Sequence, residues 1–191
     1  GMIPSDAFYD RWYGDKRWKV STIYSNAIGQ GELQVIPIQM ANLAAIIANK
    51  GYYYTPHTIK AFNIKITPEL QPFYEKHYTA VDSSHFQLII NGMEDVTVRG
   101  TARRGKVPDV QVCGKTGTAQ NPHGEDHSCF IAFAPKDNPQ IAIAVYVENA
   151  GFGGTWAAPI ASLMIEKYLK GEVTQEYKEK RILDKYFINL Q

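Results

Sequence analysis

Val110-Gln111-Val112-Cys113-Gly114-Lys115-Thr116-Gly117-Thr118-Ala119 is the stretch on which the fold turns. Its first half alternates apolar and polar residues, the period of a half-buried strand, and reads as a strand over 110–115 that leaves Lys115 and two threonines at its end. Two further runs, 129–134 and 141–147, carry the aliphatic and aromatic residues that suit a pleated surface. The stretches between them, Gln120-Asn121-Pro122-His123-Gly124 and Lys136-Asp137-Asn138-Pro139, hold turn formers and are short. Short links favour an antiparallel meander over a parallel sheet, whose crossovers need a dozen residues or more.

Helical patterns flank the meander. Ile36, Met40, Leu43 and Ile47 recur at helical spacing, with Pro37 suited to a first turn and Gly51 to a stop, while Ala41, Ala44, Ala45 and Ala48 let another backbone approach. This helix is expected to be buried on two faces. Tyr52-Tyr53-Tyr54-Thr55 reads as a short strand ended by Pro56. A second helix starts at Asp82 or Ser83 and turns Phe86, Ile89, Ile90 and Met93 inward. A third begins near Thr155, aligns Trp156, Ile160, Leu163, Met164 and Tyr168, and ends at Gly171. The first 30 residues, crowded with Phe8, Tyr9, Trp12, Tyr13 and Trp18 among charges, read as an irregular surface loop anchored by rings. The mixture defines an α+β class: an antiparallel sheet packed by helices. Residues 1–171 form the main unit, and 172–191 a charged, helical tail in which Ile182, Leu183, Tyr186 and Phe187 restore an apolar pattern.

Composition removes several function classes. With 191 residues and 45% hydrophobic content the chain can bury a sizeable core. Twenty Lys and Arg against nineteen Asp and Glu leave no cationic excess to neutralise a phosphate backbone, so nucleic acid is not an expected partner. The longest apolar runs fall well short of the roughly 20 residues that cross a bilayer. The two cysteines, Cys113 and Cys129, do not make a disulfide framework and are expected as free thiols. Gly1 ahead of Met2 reads as a cleavage scar, so a fragment of a longer protein is expected.

Chemistry concentrates in Gly114-Lys115-Thr116-Gly117-Thr118. A nucleotide-binding loop would need a first glycine five residues before Gly114, where Asp109 stands, and a helix after Thr116, where turn formers follow. Carboxylate recognition fits better. Lys115 supplies a cation, Thr116 and Thr118 supply hydroxyls, Gly117 admits a ligand close to the backbone, and the Thr118 amide faces an oxyanion. His123, Glu125, Asp126, His127 and Cys129 carry donor types that zinc accepts, but their spacing lies on a hairpin and not on one helix face. No metal and no cofactor is expected.

Gly100-Thr101-Ala102 and the Gly114–Gln120 run follow, in order, Ile28-Gly29-Gln30-Gly31-Glu32 and the helix begun by Pro37. After them come Asp126-His127-Ser128, Phe130-Ile131-Ala132-Phe133-Ala134-Pro135 and Gly153-Gly154-Thr155-Trp156-Ala157-Ala158-Pro159. This ordered set resembles the penicillin-binding protein 2 family over most of 28–171. The resemblance implies a β-lactamase-like transpeptidase fold with part of the helical subdomain missing. It also implies a class B peptidoglycan D,D-transpeptidase, anchored in the cytoplasmic membrane with its catalytic domain in the periplasm and acylated by β-lactams. Lys115, Thr116, Gly117 and Thr118 would bind the terminal carboxylate of a D-Ala-D-Ala stem peptide or of a β-lactam. Implied partners are that peptide, β-lactams, the missing N-terminal part of the same protein and the cell-elongation machinery.

Two family motifs are missing. Ser5, Ser21, Ser25, Ser83, Ser84, Ser128 and Ser162 are followed at the third place by Phe8, Tyr24, Ile28, Phe86, Gln87, Ile131 and Ile165, so no Ser-x-x-Lys nucleophile is present. Ser-x-Asn is absent too, and Tyr24-Ser25-Asn26 reads as a coincidence. In the family both precede the Gly-Gln-Gly segment, which agrees with a chain cut downstream of them. The isolated chain is therefore expected to be inactive, because the covalent step needs the serine. The competing expectation is a noncatalytic cell-wall peptide-binding module that kept the carboxylate pocket.

Overall fold

The computed structural model describes residues 1–58 and 66–185. In chain order the elements are helices α1 (Asp6–Tyr13), α2 (Val20–Ala27) and α3 (Pro37–Ala48), then the two-residue strands β1 (Tyr52–Tyr53) and β2 (His77–Tyr78). Helix α4 (Phe86–Val98) leads to β3 (Cys113–Ala119), β4 (His127–Ala134) and β5 (Ile141–Val147), and α5 (Ala157–Lys170) and α6 (Glu176–Leu183) close the chain. Single 3-10 turns sit at Gln71–Phe73, Ser83–His85 and Arg103–Gly105.

The three long strands form an antiparallel sheet in the order β3-β4-β5, with Cys113 opposite Phe133, Ala119 opposite His127 and Ser128 opposite Val147. Alternation along β4 then decides the layers. Phe130, Ala132 and Ala134 point to one face, where Ala157, Ala158, Ala161 and Ile165 of α5 cover them. Phe133 points to the other, together with Cys113, against Phe86, Ile90 and Met93 of α4 and the Ile46–Ala48 end of α3. Burying a side chain the size of Phe130 or Phe133, both at most 1% exposed, contributes roughly 1.5–3 kcal/mol, so β4 is the spine of the molecule. Gly114 is required by that packing. A Cβ there would enter the Phe130 ring.

Five local expectations need correction. The aromatic opening is not an irregular loop: Ser5 caps α1 by accepting the Phe8 amide at 3.3 Å. Phe8 then stacks on Trp12 one turn later. The strand expected over 110–115 starts instead at Cys113 and continues through Lys115, Thr116, Gly117 and Thr118 to Ala119, because each has a partner on β4 and the ladder outweighs the weak strand preference of two glycines. Helix α3 buries only Ala44 completely and leaves Ile38 and Leu43 exposed, so its apolar residues are not covered on two faces. Before α4, Asp82 caps the 3-10 turn at Ser83–His85 and Ile89 lies outside the core. Finally, α5 presents Ala158, Ala161, Ser162 and Ile165 to the sheet while Met164 and Tyr168 stay exposed. Small side chains let the helix axis lie close to β4, and the longer residues are turned outward.

Both cysteines are free thiols. Burial pushes Cys113 up to about 12, with the Glu94 carboxylate adding to the effect, so this thiol is inert packing. The tail docks as α6 against α5. Tyr186 and Phe187 lie outside the described residues.

Candidate active site

Among the described residues strand β3 pairs on one side only, with β4, and its other side opens on a cleft of about 390 Å³. Thr116 and Thr118 of β3 form one wall, Gly100, Thr101, Arg103 and Arg104 a second, and the segment 152–155 a third. Period-2 geometry brings the two threonines to the same wall. Lys115 is exposed beside them, and its ammonium donates to the Thr116 carbonyl at 2.6 Å. Thr116 and Thr118 thus face the cleft, while Lys115 and Gly117 alternate to the other face of the same ledge and are not among the residues that line it.

The walls are fixed to one another by named contacts. The Thr101 and Thr116 hydroxyls lie 2.8 Å apart and tie the second wall to β3. Gln30, from the Gly-Gln-Gly segment after α2, donates its side-chain amide to the Thr118 carbonyl at 3.1 Å, across 88 residues of chain. The fully buried Ser128 hydroxyl donates to the Phe152 carbonyl at 3.0 Å and accepts the Ala157 amide at 3.1 Å, which holds the third wall between β4 and α5. Gly153 and Gly154 are there because the backbones nearly touch. A Cβ on Gly153 would meet the carbonyl oxygens of Cys129 and Gly117, and one on Gly154 that of Thr101. Any side chain at either place would force the walls apart.

Asp126-His127-Ser128 serves the same loop. The Asn149 amide donates to His127 Nδ1 at 3.1 Å, and the Ala150 and Gly151 amides donate to the Asp126 carbonyl. Asp126 Oδ1 accepts the Asn121 amide at 3.2 Å. These groups are spent on backbone. Among the described residues no three of His, Cys, Asp and Glu come together as a metal site. Burial raises the Cys129 thiol, which removes it as a nucleophile.

No serine lines the cleft among the described residues. Asn26 of Tyr24-Ser25-Asn26 donates to the Tyr9 hydroxyl, which with Tyr13 donates to Glu32. The resulting hydrogen bonds hold the Glu32 carboxyl below its usual range. One serine does meet a lysine, Ser162 Oγ lying 3.0 Å from Lys178 Nζ, but both are buried between α5 and α6. The cleft thus offers cations, hydroxyls and a strand edge that can hold an anionic peptide end. Thr101 and Gln30 stand within the ordered motifs, but no spacing rule gives either a task, and the one sequence signal for Arg103 and Arg104 is their adjacency to Gly100-Thr101-Ala102.

Comparison with known proteins agrees with this architecture. Residues 10–166 match the penicillin binding protein transpeptidase domain. The chain is 33% identical over 190 residues to the peptidoglycan D,D-transpeptidase MrdA of Acinetobacter baumannii, a match covering 88% of this chain and 27% of that protein. It superposes on a crystal structure of Pseudomonas aeruginosa PBP2 in complex with WCK 5153 with a TM-score of 0.74 and 33% identity, covering 91% of this chain and 38% of that one. An imipenem acyl-enzyme complex of penicillin-binding protein A from M. tuberculosis gives a TM-score of 0.64 and 31% identity, covering 76% and 33%. The chain thus spans well under half the length of these relatives. Its fold is that of their transpeptidase domains, and with its ledge, its cleft and its ordered motifs the chain belongs to the penicillin-binding protein transpeptidase family.

Proposed function

We propose that this chain supplies the carboxylate-recognising side of a peptidoglycan D,D-transpeptidase that is anchored in the cytoplasmic membrane and works in the periplasm. The observation that carries the reading is the ledge of β3, from which Thr116 and Thr118 face a cleft that also carries Arg103, Arg104 and Thr101 and, among its lining residues, no acid, with the exposed Lys115 on the same strand. A stem peptide ending in D-Ala-D-Ala lies along this edge, its terminal carboxylate accepted by the Thr116 and Thr118 hydroxyls and by the Lys115 charge. The Thr118 amide points to the scissile carbonyl oxygen as one oxyanion donor, a contribution of about 10² to 10³ in rate in comparable sites. The nucleophilic serine and its lysine come from elsewhere in the protein, since no serine of this chain has that partner in the cleft. β-Lactams enter as carboxylate-bearing mimics of the same peptide. Among the described residues no helix is long and apolar enough to cross a membrane.

The test is a titration of the isotopically labelled chain with N-acetyl-D-Ala-D-Ala, followed by amide shifts. Shifts confined to 115–118 and Thr101, and lost in Lys115→Ala, support the reading; shifts that avoid β3 overturn it. Incubation with penicillin is expected to leave the intact mass unchanged. A stoichiometric serine adduct would mean that this chain carries its own nucleophile.

A further inference from the structure

Arg103 and Arg104 are consecutive residues of the wall that Thr101 ties to Thr116, and no Asp or Glu is among the residues lining the cleft. The ion pairs among the described residues are Arg99 with Asp95, Lys136 with Glu94 and Lys170 with Glu166, so neither arginine has an acidic partner. Nor does either guanidinium donate a side-chain hydrogen bond there, whereas Arg99 and Arg181 both do. Two adjacent cations held without compensation repel one another, and an anion shared between them removes that cost. They are also held in place. The Arg103–Gly105 turn is fastened behind by Lys178, which donates to the Lys106 carbonyl at 2.7 Å, and by Gly105 packed against Ala158. In front, Thr101 is bound to Thr116.

The geometry points to a second carboxylate subsite, formed by Arg103 and Arg104, that reads a free internal carboxylate of the donor peptide while its terminal carboxylate sits on the β3 ledge. The inference rests on the transpeptidase reading and deepens it: the preferred substrate is a stem peptide with at least two free carboxylates. A cleft of about 390 Å³ falls in the range of roughly 300–1,000 Å³ that admits small ligands. The planar guanidinium fork suits a carboxylate better than an ammonium would, so an Arg-to-Lys exchange there is not conservative. Because both side chains are exposed, the preference weakens with salt.

The experiment compares two pentapeptides ending in D-Ala-D-Ala that differ only in whether one internal carboxylate is free or amidated. Each is titrated into the chain and into Arg103→Gln/Arg104→Gln, with Lys167→Gln, near the C-terminal end of α5 and not among the cleft-lining residues, as a charge control. The free acid is expected to bind the parent chain about tenfold more tightly than the amide, and this gap closes in the double variant but survives in Lys167→Gln. A gap that persists in the double variant, or equal losses for both peptides, overturns the second subsite while Lys115-dependent binding leaves the first reading standing. Failure of either peptide to bind any form overturns the reading beneath it and the subsite with it.

Discussion

Two lysine–hydroxyl pairs face opposite fates in this molecule. On the β3 ledge, Lys115 and Thr116 lie open to solvent, tied only by Thr101 and a neighbouring carbonyl. Between α5 and α6, Lys178 donates to Ser162 at 3.0 Å with both side chains sealed, and Ser162 spends its proton on the Pro159 carbonyl at 2.7 Å. By distance alone the second pair looks like a nucleophile and its base. It has no access, and every group in it is satisfied by protein. What distinguishes a binding pair from a structural one here is unspent hydrogen-bonding capacity at an open edge, and that difference can be attacked from either side.

The largest effect is expected at Glu166. Burial alone would raise this carboxyl, but Thr174 donates to it through both hydroxyl and amide, Gln175 donates through its side chain, and Lys170 adds charge, so it is held below its usual range. Glu166→Leu removes the charge that opposes the burial of Lys178, leaves Thr174 and Gln175 without their acceptor, and frees the start of α6. A loss of about 3–5 kcal/mol in urea unfolding is expected. A change below about 1 kcal/mol would show that the cluster does not hold the helix.

Lys178 itself gives the next effect. Burial pushes its ammonium down to about 8 from the usual 10.5, with Glu166 opposing the shift. Between those values the unfolded chain binds more protons than the folded one, so stability rises with pH across this window and gains nothing further above it. The full gain is of the order of 3 kcal/mol. It is read as the difference between the parent chain and Lys178→Met, since other groups also titrate there. Parallel pH profiles for the two would remove Lys178 from the account.

Gly154→Ala sharpens the open side. Its Cβ would collide with the Thr101 carbonyl, so the third wall must move away from the second. A cost of about 1–3 kcal/mol is expected, with loss of peptide binding, checked by thermal unfolding beside the amide titration. Unchanged binding would mean that the width of the cleft at this point is immaterial.

How much of this was legible depended on the range of the signal. The β3-β4-β5 meander could be read because Phe130, Ala132, Ile143 and Val145 carry a local pattern that short turns cannot turn into a parallel sheet. The end of β3 could not, since Gly114 and Gly117 look like turn residues until Phe130 and Cys129 are known to lie across from them. Helix α5 showed its length but not its inward face: the alanines win because the sheet is near, a fact no window around Ala161 contains. Helices α1 and α2 present no apolar stripe to read, with Tyr9 the one buried residue of the two. In the site, the Lys-Thr-Gly-Thr run was legible as chemistry. The tie from Gln30 to Thr118 and the pairing of Ser162 with Lys178 span 88 and 16 residues and have no spacing rule behind them.

Lys115→Ala is expected to move stability least and to separate the two pairs most cleanly. Lys115 is exposed and its hydrogen bond goes to an adjacent carbonyl that water can satisfy equally well, so the denaturant midpoint should stay where it is. Binding of a D-Ala-D-Ala peptide should fall about tenfold, the loss shrinking as salt is added because the lost interaction is a screened surface charge. The mirror experiment is Lys178→Met, which alters stability and its pH profile while leaving that binding within about twofold. If Lys178→Met instead weakened the peptide as much as Lys115→Ala does, its bond to the Lys106 carbonyl would be setting the second wall of the cleft. The sealed pair would then belong to the site through the backbone that carries Arg103 and Arg104.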